Sequence, residues 1–410
     1  MAKKITIFTG LVKIGPDLVG TAVVYREIAH LLRMKGFEVS MVVPEPVDNP
    51  EKGIAYYVYE PRRNKKIIRQ SDIVFFGAYP PTDPLEYAYK NKKIIVSYLW
   101  SLAPIGSLEF RDVPSREEQD RKQRLIVDAY NRTLLYSDKV FCRSEKARDF
   151  ILGSLAALGR ANIYNYGKER NFRNIAEVAP FGIPQTSPHH TKNIYRGVIS
   201  GVGKNDFLLL WNGGVWNWND ATGLVEIMNY IRRRDKKIKL IFQGFHNPQS
   251  KYALSAEAKK ARRLAEKRSL INNNIFITSE WINYDERGNY LTEVDAGITL
   301  SPNIPEANFF IKTRYYDYIW AGKPIILNEF EAFAPEVKNK GLGLVLTGDY
   351  RQMAEDIIRF SRNKKSLAKI RKNLLAYKKG RDWRSNLGPV VDFCQSARHS
   401  ADRRLAKRNI

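Results

Sequence analysis

Short apolar runs alternate with longer stretches of helical period along most of the chain. Residues 5–8 form a β-rich apolar run, and a loop with Gly10, Gly15 and Gly20 follows. Over 22–34, apolar residues recur at helical spacing (Val23, Ile28, Leu31, Leu32), and Gly36 closes the segment as a C-cap. Residues 39–43 are the next apolar run, so the first forty residues read as a βαβ unit, which demands parallel strands joined by a right-handed crossover. Further buried strands are predicted at 73–76, 94–96 and 139–142, with helices over 115–136 and 144–158. The turn-forming run Pro180-Phe181-Gly182-Ile183-Pro184 marks a boundary, and the polar stretch 185–193 reads as a linker. A second series then begins. Its strands are predicted at 207–211, 239–243, 275–278, 296–300, 324–328 and 342–346. Its helices are predicted at about 221–234, 252–268, 283–293, 313–321 and 350–360, and 366–379 continues in helical pattern.

Strands alternating with helices twice over predict an α/β protein of two Rossmann-like domains facing a cleft. The expected division is 1–184, 194–365 and a basic C-terminal helical tail over 366–410. In such sheets ligands lie beyond the carboxyl ends of the strands, and two domains offer one wall to each of two substrates.

Composition narrows the function. The chain has 410 residues, and 68 Lys and Arg against 43 Asp and Glu leave a net charge of +25. Residues 1–190 hold 29 basic and 21 acidic residues, and 191–410 hold 39 and 22. That excess either solvates the surface or attracts anions such as nucleotides, anionic lipid or nucleic acid. Two cysteines, Cys142 and Cys394, make neither a disulfide framework nor a cysteine-rich zinc site, and no HExxH motif is present. No apolar run approaches the ~18 residues that cross a bilayer. The start, MAKKITIFTG, has no apolar leader region. A cytoplasmic protein is therefore expected, with peripheral docking at the inner membrane face. GxxxxGK[ST], GxSxG and DxD motifs are all absent, which argues against P-loop phosphoryl transfer, a serine-hydrolase elbow and a DxD-held metal.

The richest stretch is 301–324, directly after a predicted strand and so at the carboxyl edge of the second sheet. Glu306 can accept hydrogen bonds from sugar hydroxyls. Lys312 and Arg314 suit a diphosphate, and Asp317 suits a ribose diol; the alternative is an amphipathic helix with ordinary surface charges. Gly213 and Gly214, after another strand, let a ligand approach the backbone. The tryptophans around them, in WNGGVWNWND over 211–220, read either as stacking groups or as structural packing. Asn217, Asn219 and Asp220 read as polar site groups or a helix N-cap. Glu280 and Trp281 follow a third strand, where Trp281 either meets a nucleobase or packs in its loop. In the first domain Gly15, Pro16 and Gly20 shape the first loop, and Arg26 lies on the cleft or on the surface. Arg143, Ser144 and Glu145 line that domain's strand ends or cap a helix.

Five of these stretches, in order, carry a family resemblance: GPDLVGTAVVYREIAHLL, FCRSEKARDFILGSLAALGR, IAEVAPFGIP, LLWNGGVWNWNDATGLVEIM and IKTRYYDYIWAGKPII. Over about residues 5–360 the chain resembles retaining glycosyltransferases of the GT-B fold, family 4 or a close neighbour, of the subgroup found in bacterial surface-polysaccharide clusters. The resemblance implies a nucleotide-sugar donor (UDP-, GDP- or dTDP-linked) in the second domain and a glycan or lipid-linked acceptor mainly in the first. It implies no cofactor and no metal. Asp317 would stand for the ribose-binding acid, Glu306 would reach the transferred sugar, and Lys312 and Arg314 would neutralise the leaving diphosphate.

Three departures accompany it. The family's first acid would fall at Phe309, three residues after Glu306. The basic pair expected after Gly214 is replaced by Trp216, Trp218 and Asp220. Two aspartates common after the fourth strand give way to Ser97-Tyr98-Leu99-Trp100-Ser101, which makes Trp100 the candidate acceptor group there. Two alternatives follow: a glycosyltransferase whose acceptor is a modified base in DNA, or a catalytically impaired nucleotide-sugar or glycan-binding protein.

Overall fold

The computed structural model describes residues 2–15, 18–78, 80–109, 113, 115–167, 170–245, 254–278 and 281–405. Pro16, Glu280 and the expected helix start at 252–253 lie outside the described residues. The chain forms two compact units, 1–108 with 113–182 and 383–410, and 109–112 with 183–382.

The first unit is built on β1 (Lys4–Phe8), β2 (Glu38–Val43), β3 (Ile54–Val58), β4 (Ile73–Phe76), β5 (Ile94–Leu99), β6 (Lys139–Cys142) and β7 (Ala176–Val178). Their order is β3-β2-β1-β4-β5-β6-β7, and every pairing is parallel. The central strands are apolar throughout because helices cover both faces: all four residues of β4 are buried. The strands at 54–58 and 176–178 were not expected. The first is an edge strand with only Ile54 buried, and the second has three residues, so neither carries the continuous apolar signal of a central strand.

The second unit holds β8 (Phe207–Asn212), β9 (Ile238–Gln243), β10 (Ile275–Thr278), β11 (Ala296–Thr299), β12 (Ile325–Asn328) and β13 (Gly343–Leu346). The order is β10-β9-β8-β11-β12-β13, again parallel. Strand order reverses between β8 and β11, and in an open sheet such a reversal opens a crevice at the carboxyl ends.

The segment expected as a tail, 366–410, is divided between the units. The helix Lys364–Tyr377 packs on the helix Tyr350–Arg362 of the second unit, and Gly388–Gln395 packs on Gly20–Met34 of the first. Beyond it, Asp402 forms a fully buried ion pair with Arg160 (3.0 Å), and the Ser400 amide donates to Asp138 Oδ1 at 2.9 Å. A charged pair removed from water at both ends is kept only when both partners are present, so 400–402 is integral to this unit. Among the described residues no helix is long and apolar enough to cross a membrane.

Candidate functional site

In the second unit, β8 delivers Asn212, Gly213 and Gly214 to the reversal point. Gly213 has φ +91°, a conformation that disfavours any residue with a Cβ. The helix Arg314–Trp320 is clamped above these residues by Tyr318. Its ring covers Gly297 of β11, its hydroxyl donates to the Leu210 carbonyl (2.8 Å), and the Asn212 amide donates to it (3.0 Å).

That clamp fixes Arg314 and Asp317, which share the helix. Arg314 is buried, its guanidinium lies 4.6 Å from the Trp211 ring centre, and Nη2 donates to the Gly214 carbonyl at 3.0 Å. Among the described residues its buried Nη1 has no hydrogen-bond partner and no carboxylate pairs with it. Asp317 is engaged on both oxygens: Arg287 Nε donates to Oδ1 (3.1 Å) and Asn212 Nδ2 to Oδ2 (2.9 Å). Burial pushes its carboxyl above the ordinary range, against the pull of Arg287.

Lys312 has a different setting from the one its sequence suggests. Its Nζ donates to Ser301 Oγ and to Glu331 Oε1, and Lys312 and Glu331 are buried together. Its charge is therefore already met within the protein, although burial lowers its pKa. Glu306 lies on the short helix Pro305–Phe309, and its Oε2 is buried with no partner among the described residues. Burial pushes its carboxyl up to about 7, opposed by Lys312. The open atoms of this cluster include one on a cation with no carboxylate bonded to it, Arg314 Nη1, and one on an acid raised to about 7, Glu306 Oε2; Arg287 Nη2 and Glu331 Oε2 are open as well, on groups already ion-paired.

Trp281 lies against Gly244, which follows β9 at φ +70°: a Cβ there would stand 2.9 Å from the indole and 3.8 Å from the Gly213 Cα. Gly213, Gly244 and Trp281 thus form one bare-backbone niche with an aromatic wall. The other tryptophans divide. Trp211 is core, tilted against Phe242, whereas Trp216 and Trp218 stack on each other at 5.3 Å. Asp220 is the N-cap of Ala221–Arg232, accepting from the Gly223 amide, and Asn219 Oδ1 accepts from the Trp216 amide. Arg287, Asn212, Gly244, Ser301 and Glu331 had not been singled out by sequence. Of these only Asn212 and Ser301, next to strand ends, carried a positional signal.

In the first unit two candidates, Trp100 and Arg143, both lie near Tyr25. Trp100 follows β5 near Tyr25, which is fully buried on the helix Gly20–Met34. A Cβ at Gly77 would fall 1.5 Å from that Tyr25 hydroxyl. Gly20 opens the same helix, and Arg26 is half-buried on it beside Glu27 at 3.4 Å. Gly15 has ordinary φ and open space around its missing Cβ, so the structure demands no glycine there. Ser144 is a helix N-cap, accepting from the Ala147 amide. Buried Arg143 follows β6 with its guanidinium 5.5 Å from the Phe181 ring centre. Among the described residues no three His, Cys, Asp or Glu side chains gather as a metal site.

No family model matches the chain, and no curated protein matches it in sequence. Solved structures do match. WaaG, a glycosyltransferase involved in lipopolysaccharide biosynthesis, is 14% identical over 95% of this chain and 99% of its own, with a TM-score of 0.63. HepE from Anabaena, in complex with UDP-glucose, is 14% identical over 96% and 99%, TM-score 0.65. Sucrose-phosphate synthase from Thermosynechococcus elongatus is 13% identical over 97% and 100%, TM-score 0.65. The chain therefore has the two-domain α/β fold of the GT-B glycosyltransferases.

Proposed function

We propose that the protein is a retaining glycosyltransferase that binds a nucleotide-sugar in its second unit and transfers the sugar to a glycan or lipid-linked acceptor. One observation carries the reading: buried Arg314 and Glu306 each keep one open polar atom in the cluster at the strand-order reversal. Burying such atoms without a partner costs about 1–3 kcal/mol each, a cost a ligand removes. Arg314 then meets the diphosphate, Glu306 a hydroxyl of the transferred sugar, Asp317 the ribose through its remaining lone pairs, and the Gly213–Gly244–Trp281 niche the base. The likeness to HepE, which holds UDP-glucose, favours UDP as the nucleotide.

The acceptor hydroxyl attacks the anomeric carbon from the face that the diphosphate leaves. The carbon–phosphate-oxygen bond breaks, the new glycosidic bond forms, and the leaving phosphate oxygen takes the acceptor's proton. This route requires no protein nucleophile and no metal. Trp100 and Arg26 are the first unit's candidates for the acceptor.

A thermal-shift screen with UDP, GDP, dTDP and ADP and their sugars tests the donor site. The cognate diphosphate should stabilise the protein by about 2.7 kcal/mol at a hundredfold excess over its Kd. Its affinity should also fall as pH rises from 6 to 8. Glu306, raised to about 7, is mostly neutral at the low end and becomes an anion beside a polyanionic ligand at the high end. Glu306→Gln should flatten that difference, about five- to tenfold. Cooperative melting with no shift for any nucleotide would sink the donor site.

The second unit also fits a polyanionic surface. Lys259, Lys260, Arg262, Arg263 and Lys267 are all exposed on the helix Ala256–Lys267. We place an anionic lipid surface there, at roughly 1 kcal/mol per near-surface charge, which suits a lipid-linked acceptor at the inner membrane face. Vesicles with anionic lipid should retain the protein at low salt, and Lys259→Glu with Arg263→Glu should release it. Stronger retention on duplex DNA at the same ionic strength would favour the DNA acceptor instead.

A further inference from the structure

Lys312 and Arg314 are two residues apart, yet they meet opposite fates. Arg314 keeps Nη1 open, whereas Lys312 spends its ammonium on Ser301 and Glu331. Glu331 reaches it from the segment after β12, on a different strand connection, and is itself 1% exposed. The charged groups acting on Lys312 are Glu331, Arg314 and Glu306. A ligand entering beside Arg314 therefore meets one uncompensated cation and a neutralised pair.

We propose that Glu331 is a positioning residue that masks the charge of Lys312, and so sets how tightly the site holds a nucleoside diphosphate and how readily that product leaves. This rests on the donor-site reading above. Two unmasked cations would grip the product harder than the donor needs, because the product's terminal phosphate ionises a second time, at about pH 6, whereas the sugar ester's phosphate cannot. Binding energy spent equally on ground state and product adds nothing to turnover once the site is filled. Glu331 keeps Lys312 in place, bonded to Ser301, while removing its pull on the ligand.

The test has an unusual sign. Glu331→Gln preserves shape and frees the ammonium, so isothermal titration at pH 7 should show UDP, GDP or dTDP, whichever the wild type prefers, binding about tenfold tighter. Turnover should fall, with a burst before the steady state as product accumulates on the enzyme. The tightening should fade as pH rises, since burial lowers the pKa of Lys312 and the freed ammonium gives up its proton. A purely structural role predicts weaker binding and no such profile. The double variant K312M/E331Q removes both charges and should bind within about threefold of wild type. Unchanged or weaker binding by a cooperatively melting E331Q would overturn the proposal alone. So would a double variant that loses more than about tenfold, because Lys312 would then contact the ligand directly; this second result stands even if E331Q does not fold. No binding by wild type and E331Q alike would overturn the donor-site reading together with the proposal.

Discussion

Replacing Arg314 by Ala should lower turnover by about 10²–10³-fold and all but remove nucleoside diphosphate binding. Arg314 is buried with an open donor and, unlike Arg287, has no carboxylate bonded to it among the described residues. In that setting a charge acts on developing negative charge at low effective dielectric, where it is worth far more than on a solvated surface. The substitution also removes the bond to the Gly214 carbonyl and the stacking on Trp211, so some stability is lost with it. Arg314→Lys separates the two effects. It restores the charge but not the planar fork, so it should recover melting more fully than turnover. Steady-state rates with the donor found by the nucleotide screen, alongside melting curves, decide the matter. A turnover within threefold of wild type in R314A would remove Arg314 from the diphosphate site.

The central strands of both sheets were legible in the sequence because burial on two faces makes them largely apolar runs, as in the buried β4. The edge strand β3 was not, since its side chains are mostly half in water and its composition shows it. The place of the candidate stretch at a strand end was legible too. Residues 301–324 follow β11, and a strand end at a topological reversal is where chemistry collects in such sheets. The state of each charge there was hidden. Lys312 and Arg314 look alike in sequence, and the residue that tells them apart, Glu331, sits nineteen positions after Lys312 in a connection with no motif. Likewise Arg160 and Asp402 are 242 positions apart, so the last residues read as a basic helical tail, with no sign that 400–402 close a buried network. Periodicity reports which face of an element is apolar. It carries no information on which buried charges meet across elements.

Gly297→Ala should be strongly disruptive in the second unit, and it tests how the site is held in place. Gly297 is in β11, and a Cβ there would lie 2.3 Å from the Tyr318 ring carbons. The ring cannot turn aside cheaply, because Tyr318 is fully buried and its hydroxyl bridges the Leu210 carbonyl and the Asn212 amide of β8. Relief must come from lifting the helix Arg314–Trp320 off the sheet, and that helix carries both Arg314 and Asp317. Overpacking of this kind costs about 1–3 kcal/mol, roughly 2–4 °C of melting temperature per kcal/mol in a domain of this size. Binding should suffer beyond the loss of stability, since displacing Arg314 by even ~1 Å forfeits its alignment. Gly15→Ala is the internal comparison: no atom lies within 4 Å of its would-be Cβ, so melting should stay within about 0.5 kcal/mol of wild type. Tyr318→Leu relieves the clash from the other side. In the G297A background it should cost less than in the wild type, with a coupling of about 1 kcal/mol or more in melting, while binding stays impaired because the bridge to β8 is gone. Strict additivity of the two substitutions would mean that the helix is positioned by other contacts, and that the tyrosine clamp does not hold Arg314 over the strand ends.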